Sequence, residues 1–152
     1  MSAYVWIKAI HVLLAIIAVG FNATYGILLS RAAREPEHEL HVLKTVKILD
    51  DRFANPAYGL LLISGITMVL LVDIPFSTFW IAAALVLYAV TVILGAFFYS
   101  PTLRKQIRVL ETEGSGADEY KRLSTRSTII GIAASIPIVV IVFLMVLKPT
   151  LS

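Results

Sequence analysis

The sequence predicts an all-α membrane protein, a four-transmembrane-helix bundle with cytoplasmic helical extensions and both termini outside. Three observations carry that prediction. Apolar residues make up 59% of the 152-residue chain and charged residues 15%, whereas soluble domains run near one half and one quarter. Four apolar stretches each come close to the roughly 20 residues that a helix needs to cross a bilayer. Lys and Arg gather in two of the three segments between those stretches. The mean hydropathy of +0.87 excludes a disordered chain and an ordinary soluble enzyme. With no cysteine, thiolate chemistry, Cys-ligated zinc and iron–sulfur clusters are excluded as well.

The first span covers Tyr4–Leu29. It is longer than a signal-peptide apolar region, has only Lys8 as an early basic residue, and is read as retained. Asn22-Ala23-Thr24 matches a glycosylation sequon but lies inside this span. The second span, Pro56–Val72, is the shortest and needs local bilayer thinning or little tilt. The third and fourth run Phe79–Tyr99 and Ser127–Leu147. All four are too continuous for barrel strands, which alternate in hydrophobicity. Between the second and third spans the outer connection 74–78 is only five residues, a tight hairpin around Pro75.

Segment 30–55 holds Arg31, Arg34, Lys44, Lys47 and Arg52, and segment 100–126 holds Arg104, Lys105, Arg108, Lys121, Arg122 and Arg126. Lys8 and Lys148 are left for the opposite side. The excess marks the two segments as cytoplasmic and puts both termini on the outer side. Trp6 and Trp80 then fall at the outer interface. Acidic residues interleave with the basic ones, which points to lipid headgroups and not to nucleic acid as the partner of this face. Within these segments, Leu40, Leu43, Val46, Leu49 and Phe53 recur at helical spacing. Glu35-Pro36 reads as a turn with Pro in the first helical turn. Pro101 to Glu113 continues span three, and Gly114-Ser115-Gly116 turns the chain toward span four. Each half is thus a span, a charged segment and a returning span, a layout consistent with a parallel repeat.

His11 is the one histidine in a span, and an ionisable residue in a bilayer is a functional candidate. It lies about 8 Å inward of Trp6 by helical rise. Ala15, Ala18 and Asn22 share its face, and Tyr25 lies close to it, so this small and polar stripe faces the bundle interior. Met68 and Met145 reach the outer third of their spans, near the depth of His11, with Tyr88 slightly deeper. His with Met ligates haem iron or Cu(I); the alternatives are a histidine bonded to a neighbouring carbonyl and methionines that fill gaps. Lys8, Asp73 and Lys148 gather at the outer mouth, where they pair, bind an anionic group such as a haem propionate, or snorkel. Glu35, Glu37, His38, Glu39 and His41 form a group that either holds a divalent metal or is a solvated face. Asp50 and Asp51 point apart on a helix. Gly131 and Ser135 give small-xxx-small packing on span four, and Pro137 is expected to kink it. No phosphate loop or hydrolase nucleophile motif is present.

Ile7-Lys8-Ala9-Ile10-His11-Val12-Leu13, Asp51-Arg52-Phe53-Ala54-Asn55-Pro56, Gly65, Trp80 and Phe143-Leu144-Met145-Val146-Leu147-Lys148-Pro149 together carry a resemblance. The chain resembles a small bacterial integral-membrane family placed near the CopD-like superfamily, which also includes HemJ-type protoporphyrinogen oxidases. The resemblance implies haem binding at His11 from the HemJ-type side, and copper handling at His11 with Met68 or Met145 from the CopD-like side. The HemJ-type relatives have further membrane histidines that this chain lacks. Three functions are therefore expected as alternatives. The first is a haem b redox or electron-transfer protein with His11 as proximal ligand, Met145 or Met68 as second ligand and Lys8 beside the cofactor. The second is copper handling at His11, Met68 and Met145. The third is a cofactor-free scaffold. A homodimer would supply a second histidine, and the electron-transfer partner is not legible.

Overall fold

The computed structural model describes residues 3–149. Among them the chain is helical apart from short turns. Helix α1 (Ala3–Ala32) is followed by α2 (Pro36–Leu49), a π-helical turn (Asp50–Ala54) and α3 (Asn55–Val72). Helix α4 (Phe79–Val92) leads through a second π-helical turn (Ile93–Tyr99) into α5 (Ser100–Glu113), and α6 (Asp118–Leu147) closes the described chain. The two π turns leave no break, so Pro36–Val72 and Phe79–Glu113 run as helices of 37 and 35 residues. At about 1.5 Å per residue each exceeds 50 Å, well beyond the ~30 Å hydrocarbon core. The four expected spans all lie inside helices long and apolar enough to cross a membrane.

Both π turns have the same local cause. Pro56 and Pro101 occupy the first turn of the helix that follows each of them. A proline cannot donate to the preceding turn, and its ring crowds the carbonyl four residues back. The residue before each proline instead donates one step further: Asn55 N–H to the Asp50 carbonyl and Ser100 N–H to the Gly95 carbonyl. The wider turn makes room for the ring and keeps the helix continuous. Pro137 also lies within an unbroken helix, α6. At the side opposite the extensions, Asp73 and Lys148 close α3 and α6 in the left-handed region, with φ of 54° and 45°. Each N–H returns to the carbonyl four residues back, the usual left-handed helix stop.

The spans pair within each half. α1 packs along α3, and α4 packs along α6. On α1 the buried residues are Ala18, Tyr25 and Ala32, seven residues apart, so one narrow stripe forms the seam as in a coiled coil. Most other span side chains are exposed, including Ile16, Ile63, Val86, Phe143 and Val146. That is the surface a bilayer covers.

The best-packed core lies among the extensions. Leu43 and Val46 of α2 and Leu103 of α5 are completely buried. They join Val109, Tyr120 and Leu123, with Tyr25, Ala54 and Tyr99 at the junction with the spans. Of the apolar residues expected on the 37–53 helix, Leu43 and Val46 are core, Leu40 and Leu49 are half-buried, and Phe53 is exposed. Phe53 instead rests its ring against Phe21, 6.0 Å away between centroids. The halves are not copies of one another. In the first the turn comes directly after span one, at residues 33–35. In the second it comes after α5, at 114–117. The extension is consequently a three-helix unit of α2, α5 and the start of α6.

Polar side chains pin that unit together. Tyr120 O–H donates to Glu39, and Ser127 O–H donates to the Gln106 side chain at 2.8 Å. Gln106 Nε2 also faces the Tyr120 oxygen at 3.4 Å. The buried Lys47 pairs with Asp51, and Lys44 reaches Glu111 at 2.6 Å between α2 and α5. The Glu39–Tyr120 and Lys44–Glu111 contacts join α2 to α6 and to α5, while Lys47 and Asp51 pair within one helix. The buried Glu39 and Lys47 would each cost several kcal/mol if left unpaired.

Candidate functional site

His11 lies on the α1/α3 seam, as the stripe predicts. Its Nδ1 is 2.8 Å from Ser64 Oγ on α3. Ser64 also lies 2.7 Å from the Leu60 carbonyl, to which its hydroxyl donates. A hydroxyl has one proton. With that proton directed to Leu60, Nδ1–H of His11 donates to Ser64, and the lone pair of the neutral ring is on Nε2. This is the arrangement in which a histidine ligand is oriented by a hydrogen bond from its other nitrogen. Gly65 makes room for the ring: a Cβ there would come within 3.2 Å of His11 Cε1, closer than ordinary packing. The histidine therefore occupies a notch in α3 at Gly65, where a Cβ would push the ring by a few tenths of an ångström.

Asn22 shares the stripe and also meets α3. Its side-chain N–H groups reach the Ala18 carbonyl at 3.0 Å and the Tyr58 hydroxyl. Tyr88 O–H donates to the Tyr58 backbone carbonyl at 2.8 Å. This bond ties the α4/α6 pair to the α1/α3 pair. Tyr88 thus belongs to the Asn22 level, further from His11 than the slightly greater depth expected from span position. Nearer the extensions, Tyr25 and Tyr99 share the core cluster and Tyr58 packs against it. Tyr25 Oη is the one fully buried side-chain polar atom without a hydrogen-bond partner among the described residues.

The two methionines fall on different seams. Met68 is one turn beyond Ser64 on α3, half-buried, so it continues the face that holds His11. Met145 is seven residues beyond the buried Ile138 on α6, and α6 packs on α4 and not along α1. Lys8 is exposed, one turn outward of His11. Lys148 does not pair with Asp73; its ammonium lies 5.4 Å from the centroid of the Trp80 ring, a cation–π contact.

The acidic and histidine group near α2 is dispersed. Glu39 turns inward to Tyr120, while His38 faces Glu35 at 3.8 Å on the surface. No group of three His, Cys, Asp or Glu residues able to hold a metal occurs among the described residues. Asp50 and Asp51 do point to different partners, Asn55 and Lys47 respectively.

Ser64 and Tyr58 were not legible as site residues. Each is one polar residue in an apolar run, and the Ser64-Gly65 pair is the only local signal of a notch. No curated protein and no solved structure is significantly similar to this chain. A family model described as predicted integral membrane protein (DUF2269) matches residues 5–149. With four apolar helices long enough to span a bilayer and a family match over nearly its whole length, the chain is a multi-pass integral membrane protein that belongs to the DUF2269 family.

Proposed function

We propose that this chain is a membrane redox protein that holds haem b through Nε2 of His11, with the basic extensions on the cytoplasmic side of a bacterial inner membrane. One observation carries the reading: a bilayer histidine whose Nδ1 is engaged by Ser64 and whose ring sits in the Gly65 notch. Holding a neutral imidazole this way leaves a ligand nitrogen in a low-dielectric setting, which suits an axial haem ligand. Met68 on the same seam is the nearer choice of second ligand, and a His/Met pair raises the potential. Met145 is the alternative second ligand, and a second copy of the chain would offer another His11. Lys8, one turn outward, suits a propionate. Haem, when bound, supplies the one-electron chemistry; this chain supplies the ligand, its orientation and the apolar surround. Copper is the second reading, favoured by Met68 and His11 on one seam, since Cu(I) accepts thioether and imidazole.

Substitution in the full-length chain tests the site. H11A is expected to abolish bound cofactor. S64A is expected to weaken its retention by about tenfold to a hundredfold, the usual effect of removing the group that orients a metal-bound histidine. M68A is expected to change the reduced spectrum, with M145A close to wild type. Full cofactor occupancy in H11A removes His11 from the role.

A further inference from the structure

We propose that a groove between the α4–α5 junction and the start of α6 is a binding site for one anionic phospholipid. Two adjoining hollows of about 360 and 550 Å³ share Phe98, Arg122 and Arg126. Phe97 and Lys105 line the first, and Ile129 lines the second. The groove lies where apolar span gives way to charged extension. On the span side are Phe97 and Ile129, 71% and 61% exposed, which suit an acyl chain. On the extension side stand three cations.

Charge complementarity selects the occupant. Glu119 is engaged by Lys105 and by Arg122, both at 2.7 Å. One carboxylate cannot neutralise three cations, and Arg126 makes no ion pair among the described residues. Arg122 and Arg126 are four residues apart on α6, hence on one face. Guanidinium groups bind phosphate oxygens in pairs, with a geometry that lysine lacks. The phosphate therefore sits at Arg122 and Arg126, and the acyl chain runs past Phe98 along Phe97 and Ile129. A soluble phosphate compound would satisfy the arginines and leave the aromatic half of the groove uncovered. A zwitterionic lipid would cover the apolar half but bring its own cation to the arginines.

The test is lipid binding by native mass spectrometry of the detergent-solubilised full chain, titrated with phosphatidylglycerol and separately with phosphatidylcholine. Four proteins are compared: wild type, R126Q, R122Q/R126Q and R31Q/R34Q. The last removes the same charge from another part of the basic side. Because Arg126 supports no ion pair, R126Q keeps the fold intact. Wild type is expected to retain one phosphatidylglycerol in preference to phosphatidylcholine. R126Q should weaken that binding several-fold and the double variant at least tenfold, with R31Q/R34Q within about twofold of wild type. Equal retention of both lipids overturns the proposal. So does an equal loss in R31Q/R34Q, which would mean diffuse charge attraction. Displacement of the lipid by millimolar inorganic phosphate overturns it too, in favour of a soluble ligand.

Discussion

Tyr25 keeps a buried hydroxyl with no partner, inside a cluster that is otherwise satisfied. An unsatisfied buried polar group costs about 1–3 kcal/mol. Y25F, which keeps the ring and removes the hydroxyl, is therefore expected to raise the midpoint of thermal unfolding in a fixed detergent. A lowered midpoint would mean that the hydroxyl has a bound partner worth more than its burial costs. The same stripe shows what a sequence reveals at this scale. The spacing of His11, Ala15, Ala18, Asn22 and Tyr25 identified the inward face of α1, because helical periodicity depends on one segment alone. Ser64 and Tyr58 stayed hidden, and the place of Gly65 against His11 did too, because what meets His11 and Asn22 depends on how α3 slides along α1, and its largely apolar sequence carries little register signal.

The extensions, more than the spans, hold a close-packed core. Leu103 is fully buried against α2 and α6, whereas Ile63 on α3 is 62% exposed on a lipid-facing surface. L103A is expected to cost about 2–5 kcal/mol, as large-to-small changes in cores do. I63A is expected to cost little, since lipid solvates either side chain. Unfolding of the two variants in the same detergent or bicelle separates them, and equal losses would contradict a core placed in the extensions. The period of Leu43 and Val46 made α2 legible. The assembly of α2, α5 and the start of α6 into one unit was not, because it rests on long-range contacts such as Tyr120 with Glu39, 81 residues apart. The π turns had a partial signal in Pro56 and Pro101. A proline announces a disturbed turn, but whether the helix breaks or widens is decided by the packing on either side of it.

For the whole molecule, four apolar runs followed from the sequence, each lies inside one of four long helices, and the family match over residues 5–149 agrees with a membrane protein. Which side faces the cytoplasm is the expectation drawn from eleven basic residues on one side. The absence of cysteine makes this testable with no background. In intact cells a membrane-impermeant maleimide is expected to label S77C, in the short hairpin, and to leave S115C, in the extension turn, unlabelled until the membrane is opened. The reverse pattern would invert the topology.

The redox reading stands or falls on whether the purified chain has a colour. The measurement is the oxidised and dithionite-reduced absorption spectrum of the full-length protein in mild detergent, with iron and copper determined on the same sample. A Soret band, a sharp α-band on reduction and near-stoichiometric iron are expected, while copper without these bands would put the second reading in place of haem. A colourless protein free of both metals, still colourless after haem is added, would contradict a cofactor at His11 and leave a membrane scaffold.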